Sequence, residues 1–347
     1  MSSKYTGYVP LVEVTRGGVV ESVHHGAIVV VDRDGNVIFK AGDPDVIPYT
    51  RSACKPFQAI PFVAQGGPEK YGFTLEETAI MCASHSGEPR HEKTVRSMLE
   101  KIGLPETDLQ CGTHPPVYYR YEGRIPVQGE TYTTPQHNCS GKHTGMMAFC
   151  KMTGTPHENY IDFDHPVQLQ IKKAVAYFTG VAEAEIHTGV DGCSAPNFAL
   201  PLIGLARAFC RLAVDAADAE YGEAPRRVFH AMTSHPEMVS GAKRNDLAIM
   251  QAGGGDWVSK VGAEAMQGVG VRSKGWGIAI KIADGNTRAL HPVTVEVLRQ
   301  LGLLEDAAGT PLEPFARPHV FNYRKIDTGE IRPIFSLEKC AATVAAS

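Results

Sequence analysis

A serine stands three residues ahead of a lysine at Ser52-Ala53-Cys54-Lys55. On a helix that spacing sets the amine one turn from the hydroxyl, where a neutral amine can take the proton and leave a nucleophilic oxygen. A Ser-x-x-Lys also arises by chance, as an N-cap serine beside a solvated lysine. Here Arg51 precedes it, Pro56 and Phe57 follow, and the run turns apolar at Ile60, Phe62 and Val63. A lysine entering a core loses solvation, which lowers its pKa and frees the amine to act as a base.

Three further clusters could share that chemistry. A second serine lies in Cys82-Ala83-Ser84-His85-Ser86-Gly87-Glu88-Pro89, behind an apolar helical pattern at Leu75, Ala79 and Ile80. By itself this reads first as an ordinary Ser/Gly loop. Lys260-Val261-Gly262 follows Trp257-Val258 and could place a lysine on a sheet edge facing a cleft. Soft and nitrogen donors crowd at Asn138-Cys139-Ser140-Gly141-Lys142-His143, with Cys193 following in Asp191-Gly192-Cys193-Ser194. Two thiolates and a nitrogen suit tetrahedral zinc with one open position, and small cysteines buried in tight turns are the alternative. Cys150 and Cys210 sit in apolar helical contexts and read as core.

The elements that must position these residues are partly legible. Val9–Val14 and His25–Asp32 read as strands, and Asp34-Gly35 before Asn36–Lys40 signals a hairpin. Pro56 is tolerated only in a first helical turn, which places Ser52 near an N-cap. Val167, Ile171, Ala174, Val175 and Phe178 repeat at helical spacing behind Asp164-His165-Pro166. Pro105 to Gln136 is irregular and long for a compact domain, so it reads as active-site wall. Trp276–Ile282 returns to strand, then a helix runs from roughly Leu290 to Leu301, and the tail after Pro314 reads as irregular. Strands at both ends with helices between imply an α+β fold: one sheet from residues 8–41 and about 256–290, packed by a helical lobe over about 52–255, in a single domain of residues 1–347.

Composition sets the outer limits. The 347 residues are 43% hydrophobic, enough for a sizeable core. A net charge of −4 with mixed signs gives no basic field for nucleic acid and favours a small uncharged or zwitterionic substrate. Apolar runs such as Gly26–Val31 fall far short of the roughly 20 residues a bilayer span needs. No secretory signal is read at Met1–Tyr5, so a cytoplasmic location with reduced cysteines is expected.

Read together and in order, Arg51–Ala59, Cys82–Glu88, Cys111–Pro115, His137–His143 and Asp191–Pro196 resemble the Rhizobium etli-type L-asparaginases, from roughly Val9 to Ala289. The resemblance implies a serine β-lactamase and penicillin-binding-like architecture with about five antiparallel strands flanked by helices. It also implies a homodimer and two Ser-Lys tandems in one site. The first falls on Ser52 and Lys55. The second falls on Ser84 and Lys260, with Lys281 as the competing lysine, because Val261 stands where a hydroxyl residue is usual in the strand motif. The family's zinc site matches Cys139, Lys142 and Cys193.

The expected reaction is hydrolysis of L-asparagine to aspartate and ammonia through an acyl-enzyme on Ser52. Arg51 and Asp191 are candidates for gripping the substrate's α-carboxylate and α-ammonium, and His143 is a further polar candidate. A glutaminase or another serine acyl hydrolase is the nearest alternative. A non-catalytic zinc-binding sensor, with its serines as caps, is the alternative of another class.

Overall fold

The run Ala27-Ile28-Val29-Val30-Val31 alternates between two hydrophobic cores, because successive side chains of a strand point to opposite faces. Ala27, Val29 and Val31 pack under the helical lobe, while Ile28 and Val30 pack on the reverse face. In the computed structural model, which describes residues 7–340, this run belongs to the central strand of a mixed α and antiparallel β fold.

The first strands are β1 (Val9–Arg16), β2 (Val19–Val31) and β3 (Val37–Ala41). A short hairpin, β4 (His187–Val190) with β5 (Pro196–Ala199), stands apart as its own sheet. The meander β6 (Trp257–Gly262), β7 (Met266–Val271) and β8 (Trp276–Ile282) pairs onto β2, and the chain closes with β9 (His319–Phe321), β10 (Asp327–Pro333) and β11 (Glu338–Lys339). The large sheet has nine strands in the order β6-β7-β8-β2-β1-β10-β9, with β3 and β11 paired off that path. This corrects two expectations. The sheet exceeds about five strands, and the tail after Pro314 is not irregular, since β10 pairs with β1 and β11 with β3. β9 and β11 are short and largely exposed and β10 is only half-buried, so they carry none of the hydrophobic alternation that marks β1 and β2.

Helices Lys55–Ala64, Leu75–Met81, Pro89–Ile102, Ser140–Thr153, Pro166–Thr179 and Leu202–Ala213 form the lobe on one face, around Phe57, Phe178 and Phe209. The Phe57 ring meets Phe209 edge-on at 5.4 Å and tilts against Phe178 at 5.7 Å, an aromatic hinge under the helix that begins with Lys55. On the other face, Thr287–Gln300 buries Leu290, Val293 and Val297 against Ile278, Ile280 and Ile282. That helix begins three residues before the expected Leu290, because the Asn286 side chain caps it by accepting from Arg288 N. Among the described residues, no helix is long and apolar enough to cross a membrane.

One contact between helices decides how the lobe closes. Gly141, in the first turn of Ser140–Thr153, lies so close to the end of Leu75–Met81 that a Cβ would overlap the Ile80 carbonyl oxygen. That approach brings Cys139 beside the chain following Met81. Gly141→Ala is therefore expected to destabilise the fold by about 1–3 kcal/mol, read as a lower urea midpoint at unchanged slope.

Candidate active site

Ser52 sits in a 3-10 turn, Arg51–Cys54, that feeds the helix Lys55–Ala64 and places Pro56 in its first turn. The turn is clamped from two sides. On one, Asn197 of β5 accepts from Arg51 N at 3.1 Å, Phe198 N at 2.8 Å and the Thr50 hydroxyl at 3.4 Å, and Thr50 N donates to Phe198 O at 2.8 Å. On the other, Gly262 at the end of β6 packs so closely that a Cβ would lie 2.7 Å from Thr50 O and 3.2 Å from Ala53 N. Arg51 takes the left-handed conformation, φ +49°, rare for a residue with a side chain. Ser52 is half-buried, and its hydroxyl makes no hydrogen bond among the described residues.

Lys55 does not reach back to Ser52. Its buried ammonium donates to Ser84 Oγ at 3.0 Å, to Cys139 Sγ at 3.1 Å and to the Ala83 carbonyl. The expected first tandem is thus crossed: Lys55 serves the second serine. The physical reason is that a fully buried amine turns toward a cluster of acceptors, here three on two neighbouring segments. Those segments are themselves pinned, by Ser84 N donating to Val239 O at 3.0 Å and His85 N to Asn138 O at 3.1 Å.

Behind Lys55 lies the cysteine cluster. Lys142 Nζ is 3.0 Å from Cys193 Sγ. The neighbouring Cys139 and the Lys142 ammonium hold the Cys193 thiol far below its ordinary range although burial opposes them. Its neighbour Cys193 and burial push the Cys139 thiol up, and Cys139 Sγ donates to Asn138 Oδ1 at 3.3 Å. Burial works against charge on Lys142, but Cys193, Cys139 and Asp191 outweigh it and its pKa rises. His143 also lies against Cys193 and is pushed down by burial; its Nδ1 meets Tyr160 OH at 2.6 Å, and its Nε2 is buried with no hydrogen-bond partner. Arg51 and Asp191 do not stand as two separate binding groups. They form an ion pair, Arg51 Nε to Asp191 Oδ1 at 2.8 Å, both half-buried.

Lys260 is fully buried on β6, the outermost strand of the sheet. Its amine donates to Val261 O at 2.7 Å and lies 3.5 Å from Asp246 Oδ2, with no hydrogen bond to either serine. Burial brings its pKa down to about 7, with Lys55 and Arg244 acting in the same direction and Asp246 opposing them. Lys281, the competing lysine, bonds the carbonyls of Glu264 and Ile282, and burial lowers its pKa, with Arg51 acting the same way and Glu264 and Asp284 opposing.

Sequence reasoning missed Asn197, which organises the Ser52 turn, and Arg244, whose guanidinium donates to the carbonyls of Ser84 and Ser240. Neither lies in a recognisable pattern; Asn197 sits in a buried four-residue strand, Pro196–Ala199. Asn197→Ala would leave Arg51 N and Thr50 Oγ1 without this acceptor. The expected cost is about 2–3 kcal/mol by denaturant titration, with a turnover loss larger than the stability loss accounts for.

Against curated proteins the chain has no match. A crystal structure assigned as a β-lactamase from Bacteroides dorei DSM 17855 superposes with a TM-score of 0.42 at 13% identity, over 79% of this chain and 93% of that one. Crystal structures of Mglu, in its native form in 4.3 M NaCl and in its tris and glutamate form, give 0.36 and 0.34 at 15% identity. They cover 80% of this chain and 61% and 59% of theirs. Likeness this loose carries no argument about chemistry. The family model described as L-asparaginase II, in contrast, matches residues 12–333, a span that takes in the Ser52 turn, both serines, the cysteine cluster and Lys260, and the chain belongs to that family.

Proposed function

We propose that the protein hydrolyses the side-chain amide of L-asparagine to aspartate and ammonia through a serine ester. The observation that carries this reading is the buried Lys55 amine bonded to Ser84 Oγ at 3.0 Å. Family membership supports amide hydrolysis as the reaction class.

Ser52 is the nucleophile in this reading, since its hydroxyl is half-buried and uncommitted while that of Ser84 is held by Lys55. The Ser52 oxygen attacks the amide carbon and its proton passes to the Ser84–lysine system. The tetrahedral intermediate collapses as that proton moves to the departing nitrogen, and ammonia leaves. Water then attacks the ester, gives a proton to the same system and releases aspartate with Ser52 restored. Burial makes Lys260 the amine that is available in neutral form near pH 7. Arg51 and Asp191 exchange their mutual ion pair for the substrate's α-carboxylate and α-ammonium, so binding needs no unpaired charge beforehand.

The donor set also fits zinc. Two thiols and an amine converge at Cys139, Cys193 and Lys142, one thiol is already ionised, and the buried Nε2 of His143 beside them lacks a partner. Bound there, zinc would add a fixed positive charge beside Asp191 that helps orient an anionic substrate group. This chain's own part is to supply the thiolates and a neutral Lys142, so binding must release protons and weaken as the pH falls. Up to one zinc per chain is expected by elemental mass spectrometry, and Cys193→Ser is expected to lose it; equal zinc in both proteins would remove these residues from the metal site.

The function is tested by ammonia release from L-asparagine and L-glutamine. Asparagine is expected to turn over faster, with kcat/KM rising as Lys260 deprotonates through about pH 7. Ser52→Ala should lower kcat on the order of 10⁴-fold or more, and acid-quenched wild type should carry the acyl group on the Ser52 peptide. Acylation of Ser84 instead would reverse the serine roles, and no ammonia from either amino acid would sink the reading.

A further inference from the structure

We propose that Asp246 is a positioning residue of this site: it holds the Lys260 amine in place and supplies the countercharge against which Lys55 and Arg244 act. The inference deepens the amide-hydrolysis reading and, as far as turnover is concerned, rests on it.

Asp246 stands in the first turn of the helix Asn245–Ala252 and is wholly buried. Its Oδ1 accepts from Ser259 Oγ at 2.7 Å and Gln267 Nε2 at 3.1 Å. Its Oδ2 accepts from Val261 N at 2.9 Å and lies 3.5 Å from Lys260 Nζ. Gln267 is itself oriented, bonding Ser259 Oγ at 2.9 Å and accepting from Asn245 Nδ2 at 2.8 Å. A buried carboxylate surrounded by so many donors stays ionised, and these hydrogen bonds with Lys260 hold its proton affinity below the usual carboxylate range although burial opposes them. A structural brace would need only the neutral donors. The ammonium is the one cationic neighbour within ion-pair distance, and it belongs to the lysine the chemistry requires.

Two residues earlier, the Arg244 guanidinium donates to the carbonyls of Ser84 and Ser240. The tripeptide Arg244-Asn245-Asp246 therefore places a negative charge against Lys260 and a positive charge against the Ser84 segment. The remaining ionisable groups around Lys260 are Lys55, Cys139 and Cys82, and His291 faces the Asp246–Arg244 pair. Asp246 Oδ2 stands 3.5 Å from the amine. Removing its charge must favour the neutral amine, and removing that of Arg244 must favour the ammonium. Opposite displacements are the signature of electrostatic positioning, because loss of a brace would not move two titrations in opposite senses.

The experiment compares wild type, D246N and R244Q by the pH dependence of kcat/KM for L-asparagine. In parallel, NMR of protein carrying [¹³C]lysine follows the Lys260 Cε resonance through its titration, assigned by its absence in K260M. D246N is expected to move both midpoints to lower pH by about one unit, a tenfold change in the ratio of the two forms, and R244Q to move them to higher pH. A folded D246N whose Lys260 midpoint coincides with wild type overturns the proposal. If D246N does not fold, R244Q and D246E decide: an unmoved R244Q midpoint, or a D246E protein that folds without restoring the wild-type titration, overturns it. A wild type with no ammonia release defeats the amide-hydrolysis reading, and the NMR titration then still judges Asp246 separately.

Discussion

The site depends on one constraint: a lysine ammonium buried at the start of a helix must find acceptors without water. Lys55 is about 1% exposed, and leaving such a cation unpaired would cost more than the fold's net stability can absorb. Ala83 O, Ser84 Oγ and Cys139 Sγ answer that demand, and in doing so they bring two segments 28 and 84 residues downstream against one amine. The close approach at Gly141 and the clamp on the Ser52 turn follow from the same geometry. The hydrogen bonds that satisfy the buried amine are the same ones that set Ser84 and Cys139 beside it.

Around that centre, charges alternate through the interior. Asp246 faces Lys260, Lys55 bonds Ser84 and Cys139, Cys193 faces Lys142, and Asp191 faces Arg51. Each of these cations has an anionic or strongly dipolar partner. Lys260 is where the balance is least settled: burial outweighs its carboxylate and brings it to about 7. An amine poised there can act as base at neutral pH, whereas the clamped Lys142 cannot without first giving up its thiolate partner.

The core of the fold was legible because its patterns are periodic. β2 and β8 are long alternating or continuous apolar runs, the Asp34-Gly35 hairpin is a strong local signal, and the helix Pro166–Thr179 has its start written at Asp164-His165-Pro166. The tail strands were not legible, since β9 and β11 are short and exposed, and β9 gains its order by pairing with β10 while β11 pairs with β3 near the other end of the chain. Asn197 escaped notice for a related reason: its value lies in three donors converging on one carbonyl oxygen, and two of them come from Thr50 and Arg51.

By itself the sequence named candidate residues, and in the folded chain Lys55 meets Ser84 and Cys139, Lys142 meets Cys193, and Arg51 meets Asp191. Only the tertiary structure decided which group answers which. Spacing along a helix allows Lys55 to meet Ser52, but spacing carries no information about the acceptors that another segment presents. Once buried, the amine turned to the densest cluster of oxygens and sulfur, and the pairing passed from a neighbour in sequence to Ser84, a neighbour in space.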